Sequence, residues 1–169
     1  MEAVANTRIG GMWVIAITFL ISMVLAVLPM PENFPAEIGY LRPEWVVLVL
    51  IYWVIALPQR VGIVIAWVVG LLLDVLLGSL LGQHALSLVV VAYIAASLYQ
   101  RLRMFSIWQQ SLVVFAIVGL NQLINFWIES IAGLTEWNLW YLLASVTSAF
   151  LWPWIFLSLR YLRRHLHVS

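Results

Sequence analysis

The chain has 169 residues, room for one domain, of which 65% are hydrophobic and only 9% charged, and its mean hydropathy is +1.07. A soluble domain carries about 25% charged residues, so this composition excludes a globule covered for water, and with it a nucleic-acid binder, a secreted disulfide scaffold and a disordered tail. With no cysteine in the chain, disulfides, thiolate metal sites and cysteine nucleophiles are excluded too.

Six apolar segments, at 12–28, 45–57, 61–81, 84–99, 107–132 and 137–159, are separated by proline, glycine or charge and followed by a basic tail, 160–169. A helix needs about 20 apolar residues to cross about 30 Å of hydrocarbon. These segments predict an all-α, polytopic membrane protein: one transmembrane domain of six helices. With the N-terminus inside, Arg8, Arg60, Arg101, Arg103, Arg160, Arg163 and Arg164 fall on the cytoplasmic side and Arg42 alone outside, against Glu32, Glu37, Glu44 and Glu136. The positive-inside rule then places both termini in the cytoplasm.

In chain order, the first segment is closed by Pro29 and Pro31 and lacks a small-x-small cleavage site, so it reads as a retained anchor. The second gives only about 20 Å of helix, so it is predicted to borrow length from Leu41-Arg42-Pro43-Glu44, with Pro43 in the first turn.

The third carries Gly70, Asp74, Gly78 and Gly82 at every fourth position. On a continuous helix these share one face, where small residues let another backbone approach. The face would serve either as a seam inside this protein or as a seat for a partner's transmembrane helix. Asp74 costs roughly 2.5–3.5 kcal/mol on insertion scales, so it should face the bundle interior, neutral or paired.

His84 opens the fourth segment, and Asn121, Asn125 and Glu129 share a face of the fifth, with Gln122 alongside. Arg42, Glu44 and His84 fall at the outer ends of their segments. These residues predict a polar cluster joining segments two to five, with Arg42 as counter-ion to Asp74 or Glu129. The alternative leaves Glu129, Arg42 and His84 in the headgroup layer.

Trp13, Trp45, Trp108, Trp137, Trp140, Trp152 and Trp154 sit near segment ends, where indole rings anchor at the interface. Trp53, Trp67 and Trp127 lie deeper and are predicted to pack between helices. A lone His84 without carboxylates at helical spacing makes a poor metal site. Ser79 and Ser87 beside it form no nucleophile signature, and no phosphate-cradling loop is present. No catalytic residue, metal or cofactor is predicted, and the chain does not read as an enzyme. Arg160, Arg163 and Arg164 in the tail set topology and attract anionic lipid, or meet a cytoplasmic protein.

Several of these stretches together resemble the MreD family of rod shape-determining membrane proteins, closest to its gammaproteobacterial members. The likeness is carried by Arg42-Pro43-Glu44-Trp45, the run from Tyr52 through Leu57-Pro58-Gln59-Arg60 to Gly62, and the Gly70, Asp74, Gly78, Gly82 series. It continues through Trp108-Gln109-Gln110 and Leu151-Trp152-Pro153-Trp154-Ile155-Phe156.

The resemblance implies a non-enzymatic scaffold of the bacterial elongation (Rod) complex in the inner membrane. Its implied partners are the bitopic MreC and, directly or through it, MreB, RodA and a class B penicillin-binding protein, in lateral peptidoglycan synthesis and rod shape. It also implies a fold like the six-helix substrate-binding subunits of energy-coupling-factor transporters. That likeness supplies the rival expectation, a small-ligand- or lipid-binding transporter subunit. A groove admitting a lipid-linked precursor is compatible with both. In the preferred reading the small-residue face of segment three, fixed by Asp74, holds MreC's single span.

Overall fold

The computed structural model describes residues 2–28, 41–133 and 142–166, with side chains from residue 11 onward. The expectations placed on Glu32, Glu37, Glu136, Trp137 and Trp140 fall outside the described residues. The described chain is all-helical: α1 Glu2–Val27, α2 Trp45–Ala56, α3 Ile63–Leu77, α4 Gln83–Met104, α5 Ile107–Ile131 and α6 Leu143–His165. Among these, α4, α5 and α6 are each long and apolar enough to cross a membrane, whereas Gly11–Val27, α2 and α3 are shorter apolar helices.

Helix α2 is the axis of the bundle. Every residue from Val46 to Ile55 is buried, and α1, α4, α5 and α6 all pack against it. The predicted extension does not occur: residues 42–44 are not helical, and Pro43 stands outside the first turn. A helix wrapped on all sides by protein has no need to match the hydrocarbon depth by itself.

The surrounding helices turn apolar side chains outward, among them Val64, Val75, Leu112, Phe150 and Ile131. In water such a surface would drive association; in lipid it is the solvated face. Trp67 and Trp127 belong to that surface, at 52% and 65% exposed, contrary to their predicted place between helices. Trp53 does pack inside, and Trp152, predicted at the interface, is fully buried.

The buried indoles are held by polar contacts. Trp53 Nε1 donates to Thr18 Oγ1 at 2.9 Å, tying α2 to α1. Trp152 Nε1 donates to Gln110 Oε1 at 3.2 Å, while Gln110 Nε2 donates to Leu102 O at 2.9 Å. One glutamine thereby ties α6, α5 and the end of α4. Tyr52 meets Trp53 and Phe156 edge-on. Two of the stretches behind the family likeness, around Gln110 and Trp152, are therefore one packing unit.

Local sequence explains the boundaries. Ser106 and Gln109 form a reciprocal capping box that starts α5. Arg101 and Arg103 close α4, and Arg163, Arg164 and His165 lie in the last turn of α6, where cations suit the carbonyl end of a helix dipole. The basic tail predicted after residue 159 is thus helical through His165.

The expected single face of Gly70, Asp74, Gly78 and Gly82 does not exist as such. Helix α3 stops at Leu77; Gly78 is its left-handed C-cap at φ 65° and Gly82 the left-handed N-cap of α4 at φ 98°. Glycine adopts positive φ without a Cβ clash, so these two residues end one helix and begin the next.

Candidate functional site

Successive helices alternate in direction and sort the polar residues to two ends. One end gathers Arg42, Glu44, Asp74, Gln83, His84 and Glu129. The other gathers the C-termini of α2, α4 and α6, with Arg103, Arg160 and Arg163, around the start of α5.

At the first end Asp74, 1% exposed, is the centre of the α3–α4 turn. Its Oδ1 accepts from the backbone N–H of His84 at 2.8 Å and from Ser79 Oγ at 3.0 Å. Its Oδ2 accepts from Gly82 N at 2.8 Å and Ala85 N at 3.4 Å. These N–H groups are the orphan donors of the first turn of α4, whose own N-cap, a glycine, has no side chain to offer. The carboxylate therefore caps α4 from another helix, at the positive end of its dipole.

His84 Nδ1 lies 2.8 Å from Oδ1. A carboxylate only accepts, so the ring proton sits on Nδ1. Ser79 Oγ approaches the same nitrogen at 3.2 Å. A nucleophile relay needs hydroxyl and carboxylate on opposite ring nitrogens, so this trio holds a turn together and lacks relay geometry. Among the described residues, no group of three or more carboxylates and histidines could hold a metal.

Gly70 completes the turn from the α3 side. A Cβ there would lie 2.3 Å from Ala85 Cα and 2.8 Å from His84 O, so the two backbones touch. The small-residue seam is internal, already filled by α4.

Arg42 is not the counter-ion of Asp74 or Glu129. Its Nη2 donates to Leu25 O at 3.0 Å and Leu28 O at 2.6 Å, closing the carbonyl end of α1. Glu129 Oε1 accepts from Gln83 Nε2 at 2.7 Å, joining α4 to α5. Glu44 donates its backbone N–H to Ser148 Oγ at 3.0 Å and pairs through its side chain with Gln122. A cavity of about 160 Å³ lies between Arg42, Pro43, Glu44, Leu73 and His84. Asn121 is buried with neither side-chain polar atom partnered, and Gln122 Oε1 and Asn125 Oδ1 are likewise buried without a partner.

The polar residues of segments two to five do gather at this end, with His84 rather than Arg42 at Asp74. Ser79 and Gln83 were not among the predicted site residues. Glycines at 78 and 82 signal a turn, and that turn would have placed Ser79 and Gln83 beside Asp74 and the start of α4.

A third feature runs along the side of the bundle. Between α1, α2 and α6 lies an open, largely apolar groove of about 820 Å³, bordered by Thr18, Ser22, Val49, Trp154, Ser158 and Leu162. The Ser22 and Thr18 hydroxyls turn back to carbonyls of their own helix, and both residues are buried.

Compared with known proteins, residues 7–162 match the model of the family described as rod shape-determining protein MreD. The rod shape-determining protein MreD of Haemophilus influenzae is 40% identical over 160 residues, covering 94% of this chain and 96% of that protein. The chain belongs to the MreD family. Membership assigns it a role in cell shape, and with its long apolar helices it reads as a membrane protein. No solved structure matches the chain significantly. In this MreD-family chain the Asp74 turn is satisfied by its own backbone, and the lateral groove stays open along the side of the bundle.

Proposed function

We propose that this chain is a non-enzymatic scaffold of the elongation complex in the bacterial inner membrane. In this reading all six helices span, both termini face the cytoplasm, and the architecture is akin to the substrate-binding subunits of energy-coupling-factor transporters. The basic end then faces the cytoplasm, in keeping with the charge asymmetry. The chain binds the single transmembrane helix of MreC and, directly or through it, MreB, RodA and a class B penicillin-binding protein. It thereby couples MreB filaments to lateral peptidoglycan synthesis.

The observation that carries the reading is the groove over α2. In lipid, helices associate by close packing rather than by hydrophobic exclusion, and small residues permit that packing. The groove offers small hydroxyl residues on both walls and an apolar floor, whereas the glycine seam of α3 is already occupied by Ala85. The seat for a partner helix therefore moves from α3 to the α1–α6 side.

Co-purification of MreC with the full chain tests this. Ser158→Trp, which overfills the groove, should abolish recovery of MreC; Leu112→Trp, on the lipid-facing side of α5, should leave it intact. Equal recovery with both variants contradicts the groove. The second reading, a ligand-binding subunit, draws on the buried amide of Asn121 and the buried carbonyl oxygens of the Gln122 and Asn125 side chains, which have no partner. A defined small molecule retained by the protein without MreC would favour it.

A further inference from the structure

The cavity at the basic end has no place in the scaffold reading, and its chemistry is specific. It measures about 510 Å³ and is lined by Tyr52, Arg103, Ser106, Phe156, Arg160 and Arg163, with no carboxylate among its lining residues. Arg103 is fixed by two bonds to the end of α2, Nε to Ile55 O at 3.0 Å and Nη2 to Ala56 O at 2.8 Å. Arg163 Nη1 reaches the same Ala56 carbonyl at 3.5 Å. The carbonyl end of α2 is thereby neutralised, and the remaining guanidinium donors are free of that task. A guanidinium has five N–H donors in a rigid fork. The Arg160 guanidinium lies 6.0 Å over the Phe156 ring, a contact that consumes none of them.

The Tyr52 hydroxyl points to the occupant. Tyr52 is 2% exposed, its ring is held edge-on by Trp53 and Phe156, and its hydroxyl is buried without a partner. A buried hydroxyl is unfavourable when left unpaired, so this one is available to something that accepts. Three cations and an immobilised donor around one space, at the start of α5 with its positive dipole end, fit an oxyanion that takes several hydrogen bonds at once. Arginine forks match phosphate oxygens in that way.

Two further facts select the source of the phosphate. The apolar side chains of Ile55, Phe105 and Ile107 share the cavity, and Met104 and Trp108 beside it are 78% and 79% exposed on the lipid-facing surface. A ligand there needs an anionic head and an apolar body. We propose that this cavity holds the phosphodiester headgroup of an anionic phospholipid, clamped by Arg103, Arg160 and Arg163 with the Tyr52 hydroxyl as an additional donor, its acyl chains lying along Met104 and Trp108. Basic pockets between transmembrane helices are suited to such headgroups. The proposal rests on membrane embedding and is independent of MreC.

The test is native mass spectrometry of the full chain released from detergent, titrated with phosphatidylglycerol or phosphatidylcholine. The first phosphatidylglycerol should bind about tenfold tighter than phosphatidylcholine, whose phosphodiester is the same but whose choline cation is repelled by the guanidiniums, and the Arg160→Gln/Arg163→Gln variant should lose that preference. Tyr52→Phe removes only the hydroxyl and should weaken binding about threefold, a partial loss as for one neutral donor. Thermal unfolding of each variant confirms that it remains folded. Equal binding of the two lipids, or unchanged preference in the arginine variant, overturns the proposal. Displacement of the lipid by millimolar inorganic phosphate would assign the cavity to a soluble anion and overturn the lipid source.

Discussion

The two ends of the bundle use charge in opposite ways. At one end Asp74 accepts from three backbone N–H groups, a hydroxyl and an imidazole, and a single buried anion is matched by donors from its own chain. At the other end three guanidiniums converge on a cavity without a carboxylate, beside a buried hydroxyl that nothing satisfies. A charge answered from within holds the fold; charges left with spare donors are available to a ligand. Burial cost alone would have marked Asp74 as the functional residue, and hydrogen-bond accounting reverses that assignment.

The comparison breaks first at Asp74. Asp74→Ala leaves the first turn of α4 and the His84 imidazole without their acceptor, which should cost about 1–3 kcal/mol for each buried donor left unpaired. Thermal unfolding in detergent would read this as a large fall in Tm, or the protein would fail to accumulate. Little change would mean that the turn is held by something other than its carboxylate.

Gly70→Ala should follow at about 1–3 kcal/mol, the cost of overpacking, because the methyl group meets the Ala85 backbone rather than a flexible side chain. A stable Gly70→Ala protein would show that α3 and α4 can separate without penalty. Arg42→Ala removes the cap of α1 and should cost about 1 kcal/mol. Combined with Asp74→Ala its effect should add within about 0.5 kcal/mol, as for sites sharing no partner. A larger coupling would restore the salt bridge that the geometry excludes. Smallest of all, Arg160→Gln at the basic end should shift stability by no more than about 0.5 kcal/mol, as for a surface substitution. A large loss there would make the basic cavity structural, like the opposite end.

Much of the helical order was legible because proline, glycine and charge interrupt the apolar runs, and α5 begins and ends within a residue of its predicted bounds. The errors have one physical root. In a membrane chain the lipid-facing and buried surfaces are both apolar, so hydrophobicity did not distinguish exposed Trp67 and Trp127 from buried Trp152. Polar partners do distinguish them, since Trp152 is bonded to Gln110 and Trp53 to Thr18.

The four-residue spacing misled for a related reason. It defines one face only while a helix continues, and glycines at 78 and 82 are where it stops. Once that turn is drawn, His84 and Gly82 fall against Asp74, ten and eight residues along the chain. Arg42 pointed towards the acids in sequence, but the nearer need was the carbonyl end of α1. The basic cavity is assembled from α2, α4, α5 and α6, and no local pattern displays it.

The central claim, that the α1–α6 groove seats the transmembrane helix of MreC, is tested most directly by photo-crosslinking in the membrane. A photoreactive residue placed at Ser158 should crosslink to MreC, and the same residue at Leu112 should not. Crosslinking at Leu112 and none at Ser158 would contradict the groove and return the partner helix to another face of the bundle.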